Sequence, residues 1–77
     1  MDERELLREL GTRIRSRRKH IGLTQEALAL AAGVDRSYYG AVERGERNIT
    51  FTVLCRLCLA LRSDLAALTG GIPIAPL

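Results

Sequence analysis

The sequence predicts an all-α protein, a compact bundle of five short helices. Apolar residues near the N-terminus recur at spacings of three, four and seven, which is typical of one face of a helix. Both prolines lie within the last five residues, so no proline interrupts a helix before Gly70. No alternation of apolar and polar residues is long enough to indicate a strand.

The first helix, α1, is predicted over about residues 3 to 20, and α2 over about 25 to 31. The apolar positions on one face of α1 are Leu7, Leu10, Ile14 and Ile21. Gly22 ends α1, and the side chain of Thr24 suits the N-cap of α2. Gly33 supplies the backbone freedom that a tight turn between helices requires.

Each of the last three helices is predicted to begin after a residue with a short polar side chain. The ranges are about residues 36 to 44 for α3, 51 to 61 for α4 and 64 to 69 for α5. The predicted caps are Asp35, Thr50 and Ser63. Glycines end α3 and α5, at Gly45 and at Gly70-Gly71. The residues of α4 expected to face inward are Leu54, Leu57, Cys58 and Leu61.

The composition is that of one folded domain, residues 1–77, with 47% hydrophobic residues and therefore a core of modest size. No stretch approaches the roughly 20 apolar residues of a transmembrane helix. The N-terminus is acidic and polar, unlike a signal peptide, so a cytoplasmic location is expected.

The positive charge is unevenly placed. The formal net charge is +3, but residues 13 to 47 carry eight Lys or Arg against four Asp or Glu, and the remainder is slightly acidic. This clustering favours a polyanionic partner, double-stranded DNA in particular.

Residues 22–50 form two helix-forming runs joined by a short turn, the pattern of a helix-turn-helix. Such a motif offers the first turn of its second helix to base edges in the DNA major groove. Arg36 can donate two hydrogen bonds to guanine O6 and N7, and Ser37 can donate or accept. Tyr38 can contact a thymine methyl, a sugar or a phosphate. The alternative, a solvated polar helix start, is outweighed by the paired helices and the local charge.

Two neighbouring residues of α3 have competing interpretations. Tyr39 lies on the side of Val42 and is read as partly core, with a DNA contact as the alternative. Gly40 costs the helix about 0.5–1 kcal/mol relative to alanine. Either the helix backbone approaches DNA closely there, or the site is simply exposed and tolerant.

Phosphate contacts are expected on both sides of α3. Thr24 and Gln25 begin α2, where free N–H groups attract anions, and Gln25 could also brace α3. The candidates beyond α3 are Arg44, Arg47 and Asn48. For the two arginines the alternative is ordinary solvated charge. For Asn48 it is a hydrogen bond within the loop before Thr50.

A buried ion pair is expected between α1 and α3. Arg18 follows Leu10 and Ile14 at helical spacing, so it falls on or beside the apolar face of α1 and needs a partner there. Glu43 is the best candidate. The competing interpretation is that Arg18 extends to solvent and contacts a phosphate.

The segments GLTQEALA, AGV and VERGERN, in this order and spacing, resemble the Cro/C1-type (XRE-like) helix-turn-helix family. The likeness implies a lambda-repressor-like DNA-binding domain of five helices with its core at about residues 11–68, usually a homodimer on a palindromic site. It also implies phosphate binding at Gln25, base reading at Arg36 and Ser37, and the structural pair of Arg18 with Glu43.

The stretch DRSYYGAVERGERNIT is similar in particular to the controller proteins of restriction–modification systems. Those proteins read DNA with residues that match Arg36, Ser37 and Tyr38. Tyr39, Gly40 and Ile49 depart from the controller pattern, where an aliphatic residue, often a serine and frequently a proline occur. The departures affect the base sequence that is read and leave the fold unaffected.

No metal or cofactor is expected. Cys55 and Cys58 form a C-x-x-C run within a predicted helix, and His20 is the only histidine, so a four-ligand zinc site cannot be built from Cys and His. Reduced thiols, with Cys58 acting as a small core hydrophobe, are favoured over a redox sensor. The apolar tail residues Ile72, Ile74 and Leu77 either seal the core or cover a partner. Helix α5 and its flanks are expected to dimerise.

The function predicted is that of a sequence-specific transcriptional regulator. The alternative is a protein-interaction module of the same fold, such as a toxin-neutralising antitoxin or a co-activator, although the chain ends soon after α5. No nucleophile lies with an acid/base pair and no second domain holds a pocket, so neither an enzyme nor a small-molecule effector is expected. Activation would need an RNA polymerase contact, for which Glu46 or the acidic start of α1 is available.

Overall fold

The computed structural model describes residues 1–72 and Ile74. Within them lie five helices: α1 Glu3–His20, α2 Gln25–Ala32, α3 Arg36–Glu43, α4 Phe51–Ala60 and α5 Leu65–Thr69. The all-α prediction is confirmed, and each boundary lies within one residue of its predicted place. The extended tail expected from its two prolines, and the role suggested for Leu77, fall outside the described residues.

Side-chain caps begin the helices as local sequence rules require. Oxygens of Thr24, Asp35 and Thr50 accept hydrogen bonds from backbone N–H groups three residues later, as predicted. The predicted cap of α5 is wrong, because Asp64 rather than Ser63 accepts the N–H of Ala67, at 2.6 Å.

Ser63 instead completes the end of the preceding helix. Its N–H donates to the carbonyl of Cys58 at 3.0 Å, and the N–H of Arg62 donates to Leu59 at 3.1 Å. Arg62 adopts a left-handed φ of 53°. These bonds form the turn that satisfies the last carbonyls of a helix. Ser63 is therefore held in that turn, and α5 begins one residue later than predicted.

The core lies where the five helices meet. Helix α1 packs on α3 and α5, while α2 packs on α3 and α4. The fully buried large side chains are Ile14, Leu28, Tyr39, Leu57 and Leu61. Helix α3 is thus held from two sides, by α1 and by α2.

The predicted apolar faces are confirmed in their central residues. On α4, Leu57, Cys58 and Leu61 are buried, and Leu54 is half-buried. Burial raises the pKa of the Cys58 thiol, and both cysteines are free. Among the helices of the described residues, none combines the length and apolarity needed to cross a membrane.

The turn between α2 and α3 depends on Gly33. Its φ is 70°, in the left-handed region that residues with a Cβ rarely adopt. Its N–H donates to Leu30, and the N–H of Val34 donates to Ala29 at 3.0 Å. These bonds end α2 and let α3 start at Arg36, three residues after the glycine.

Candidate nucleic-acid interface

The first turn of α3 presents polar side chains at the surface. The Asp35 carboxylate caps the helix by accepting the N–H of Tyr38 at 3.0 Å, and Arg36 and Ser37 follow it. Both residues are exposed. Two of the three predicted base-reading residues therefore lie where a partner can reach them.

The third predicted base-reading residue, Tyr38, links α3 to the loop that follows it. Its hydroxyl donates to the backbone carbonyl of Asn48 at 3.2 Å, and the Arg47 guanidinium lies 5.4 Å from the centre of its ring. Guanidinium groups are attracted to aromatic faces at such distances. The structure therefore brings together Tyr38, Arg47 and Asn48, which the sequence assigned to different roles.

Asn48 also bonds within its own loop. Its side-chain Oδ1 accepts the N–H of Ile49 at 2.9 Å, just before the Thr50 cap of α4. This is the hydrogen bond that its structural interpretation required. Asn48 thus orders the loop that carries Arg47.

A stripe of three residues, Arg36, Gly40 and Arg44, runs along α3 at intervals of four, so the three share one face. A Cβ placed on Gly40 would lie 2.9 Å from Nη1 of Arg36 and 3.2 Å from Nη1 of Arg44. Gly40 is consequently buried beneath the two guanidinium groups. Gly40 is therefore not exposed in the free protein, but the atoms above it are the ends of flexible side chains, so the structure does not contradict its tolerance of substitution.

Glu43 is the centre of a buried hydrogen-bond network. Arg18 donates to it twice, from Nε to Oε2 at 2.9 Å and from Nη2 to Oε1 at 2.8 Å. The Gln25 amide donates to Oε1 at 2.9 Å, and the Tyr39 hydroxyl donates to Oε2. Helices α1, α2 and α3 are joined through this one carboxylate.

The Arg18 side chain turns inward, with 10% of it exposed, and does not extend to solvent. Its remaining Nη1 donates to the carbonyl of Leu23 at 2.8 Å, in the connection between α1 and α2. Arg18 therefore fixes both the position of α3 and the start of α2. Gln25 braces α3 through Glu43, which was one of its two predicted roles.

The pKa values of Glu43 and Tyr39 are strongly shifted in this network. Burial alone would raise the pKa of Glu43, but hydrogen bonds from Arg18, Tyr39 and Gln25 outweigh it and lower the pKa to about 2. Burial, and hydrogen bonding to Glu43, raise the pKa of Tyr39. Tyr39 is fully buried, so its interpretation as a core residue describes the free protein.

Two neighbours of this network were not identified from the sequence. A Cβ on Gly11 would collide with the backbone carbonyls of Val42 and Glu43, so α1 and the end of α3 touch backbone to backbone. The sequence feature that could have revealed this contact is the glycine itself, because it lies on the apolar face of α1 between Leu10 and Ile14. Arg15, mostly exposed, has its Nε 3.9 Å from Glu43 Oε1.

Part of the basic charge serves the scaffold. Arg17 donates to the carbonyls of Leu61 and Arg62 at the end of α4, at 2.9 and 2.8 Å. Arg13 donates to the carbonyls of Leu68 and Gly70 at the end of α5. Along with Arg18, these arginines are held by the protein itself. The charge count therefore overstated what is available to a polyanion.

The chain is similar to known DNA regulators. The helix-turn-helix family model matches residues 14–68. The control protein C.SmaI of Serratia marcescens is 43% identical over 68 residues, which cover 88% of this chain and 77% of that protein. The crystal structure of the restriction-modification controller protein C.AhdI from Aeromonas hydrophila shares 44% identity at a TM-score of 0.79, over 80% of this chain and 94% of that chain.

The chain is also similar to a controller protein whose crystal structure contains its operator DNA. The controller protein C.Esp1396I, as a tetramer in complex with its natural 35 base-pair operator, shares 32% identity at a TM-score of 0.77. The match covers 82% of this chain and 83% of that chain.

Proposed function

This chain belongs to the Cro/C1-type helix-turn-helix family, and on that premise we propose that it is a sequence-specific transcriptional regulator, a restriction–modification controller. It binds a palindromic operator as a homodimer, with α3 in the major groove. The observation that carries the proposal is the placement of α3. Its inner end is locked to α1 and α2 through Glu43, while its first turn is exposed.

Base reading is proposed for Arg36, Ser37 and Tyr38. Arg36 supplies the forked donor that matches guanine O6 and N7, and Ser37 contacts a neighbouring base. The Tyr38 ring contacts a thymine methyl or a sugar, while its hydroxyl remains on the carbonyl of Asn48. A fixed helix serves this purpose because hydrogen bonds to base edges tolerate little displacement.

Phosphate binding is proposed for residues on both sides of α3. Thr24 and Gln25 offer the N-terminus of α2, an eight-residue helix whose dipole attracts anions. Arg47 and Asn48 lie in the loop beyond α3. Such contacts fix the position of the protein on the duplex and carry no sequence information directly. Arg44 was predicted with this group, but its exposed side chain lies in the stripe that it forms with Arg36 and Gly40.

The dimer is proposed to form through α4, α5 and their flanks. Phe51 and Leu59 on α4 are 67% and 83% exposed, and Ile74 beyond α5 is 83% exposed. Exposed apolar side chains are stabilised when a partner covers them, and these three lie on or beside the helices proposed to pair. The tetramer of C.Esp1396I on its operator supports an assembly of more than one copy on DNA.

The proposal extends to organisation and location. The chain acts as a single domain with its core at about residues 11–68, in the cytoplasm and bound to the nucleoid. If it activates transcription, Glu46 or the acidic start of α1 would contact RNA polymerase. It carries no catalytic role in this proposal.

Selection of bound duplexes from a random DNA library tests the proposal, with purified protein at near-physiological salt. A two-fold symmetric consensus is expected, with half-sites about one helical turn apart, roughly 34 Å. Absence of any enriched sequence would overturn the proposal and favour a protein-interaction module of the same fold.

A further inference from the structure

We propose that Arg44 is a second base-reading residue, which acts with Arg36 to select two closely spaced guanines in each half-site. This inference rests on the proposed function and makes it more specific. It moves Arg44 from the group of phosphate contacts to the sequence-reading surface of α3.

Arg36 lies one turn before Gly40, and Arg44, the C-cap of α3, lies one turn after it. The two exposed side chains therefore flank the buried glycine on one side of the helix. Their Nη1 atoms converge on the same point, 2.9 and 3.2 Å from where a Cβ of Gly40 would be. Side chains in helices lean toward the N-terminus, which brings the Arg44 guanidinium back along the helix. Whatever Arg36 reaches in the groove therefore lies close to Arg44 as well.

A hydrogen bond orients the guanidinium group of Arg44, since its Nε donates to Glu46 Oε1 at 3.0 Å in an exposed ion pair. The bond occupies Nε and leaves the Nη1 and Nη2 donors directed away from Glu46. Guanine presents two acceptors, O6 and N7, and two such donors match them. A phosphate can accept the same fork, so the choice of a base edge rests on the position of Arg44 beside Arg36.

The two guanidinium groups also affect each other electrostatically. Two guanidinium groups that converge over one residue repel each other in the free protein. Adjacent acceptor atoms on the edges of two guanines relieve that repulsion, because each guanidinium then faces negative partial charge. Arg47 has no such relationship with Arg36, since it lies over the ring of Tyr38.

Gly40 provides the space for this pair. An alanine there would place its Cβ against the terminal nitrogens of both arginines. These are the ends of flexible side chains, so the fold would tolerate the change while the two guanidinium groups moved apart. A glycine in the middle of a reading helix thus has a specific use, although it weakens the helix.

The test compares the base preferences of the wild type with those of Arg44→Lys, Arg44→Ala and Arg36→Ala, by selection from the same random library. Lysine keeps the positive charge but lacks the planar pair of N–H donors of a guanidinium group. We expect two strongly preferred guanines in each wild-type half-site. Arg36→Ala should relax one of them, and both Arg44 variants should relax the other, by about tenfold in discrimination.

Arg47→Ala serves as the matched control, because it removes one positive charge beyond the same helix. It should lower affinity for all duplexes and leave the consensus intact. Gly40→Ala should keep the protein folded, as judged by thermal unfolding, and weaken the preference at both guanines.

The outcomes separate the two proposals. If the wild type selects a symmetric consensus but Arg44→Ala lowers affinity for all sequences alike, the proposed regulatory function is supported. The base-reading role of Arg44 is then overturned. The same holds if Arg44→Lys retains the wild-type preference. If the wild type selects no consensus, the proposed function fails and the inference fails with it.

Discussion

Glu43 and Arg18 meet through two parallel hydrogen bonds, and both side chains are almost completely removed from solvent, with 3% and 10% of their surfaces exposed. Burying a charge costs free energy unless the charge is paired and hydrogen-bonded. Here both the guanidinium group and the carboxylate have hydrogen-bond partners. It joins the helix proposed to read DNA to the longest helix of the scaffold. The consequences are measurable in stability as well as in DNA binding.

Acid should weaken the fold over a defined range of pH. The pKa of Glu43 is about 2 in the folded protein against an ordinary value of 4.5, so the unfolded chain binds the proton first as pH falls. The stabilisation is fully present above about pH 4.5 and is lost progressively toward about pH 2. Urea unfolding over this range measures it. Glu43→Gln should be less stable near neutral pH but lose less stability in acid. Equal acid losses in both proteins would contradict the role of Glu43.

Removal of the positive partner should be severe. Arg18→Met keeps the length of the side chain but leaves Glu43 as a buried, poorly compensated charge, which costs about 3–5 kcal/mol in the free energy of unfolding. The double variant Arg18→Met/Glu43→Leu should recover much of this loss, because neither charge then remains. Chemical denaturation measures both. A double variant as unstable as the single one would show that packing, and not charge, is responsible.

Tyr39→Phe isolates the contribution of one hydroxyl. The ring stays in the core, but Glu43 loses a hydrogen-bond donor, so we expect a loss of about 1.5–3 kcal/mol. The pKa of Glu43 should also rise, which moves the acid unfolding range to higher pH. Tyr38→Phe is the matched control, since its hydroxyl bonds a backbone carbonyl near the surface, and it should change stability by less than about 0.5 kcal/mol. Similar losses in the two variants would argue against a special role for Tyr39.

Gly11→Ala should destabilise the protein although alanine favours helices. The added Cβ would meet the carbonyls of Val42 and Glu43, and a backbone cannot move aside as a side chain can. Overpacking of this kind costs about 1–3 kcal/mol. Thr12→Ala, at the exposed next position of α1, provides the control and should be neutral or slightly stabilising. A rise in melting temperature for Gly11→Ala would show that α1 and α3 are not in close contact.

Arg47→Ala tests the proposed phosphate contact in the loop beyond α3. Binding should weaken for specific and non-specific duplexes alike, and the slope of log affinity against log salt concentration should flatten by about one. Fluorescence anisotropy titrations at several salt concentrations measure this slope. An unchanged slope for Arg47→Ala would remove Arg47 from the phosphate contacts.

Local chemistry made the helices predictable. A cap depends on a residue and the N–H three positions later, so Thr24, Asp35 and Thr50 could be recognised from neighbours in the sequence alone. The error at α5 arose where two adjacent residues both suit a cap. Only the turn that ends α4 at Arg62 decided between Ser63 and Asp64.

The sequence by itself determined the fold class, the helix order and the family, because periodicity, caps and motif spacing are properties of short segments. Only the tertiary structure decided how the charges are used. Arg13 and Arg17 bond to the ends of α4 and α5, and Arg36 and Arg44 converge over Gly40. The partners in the scaffold bonds are more than 40 residues apart in the chain. Hydrogen bonds act over about 3 Å, so only folding could reveal which groups meet.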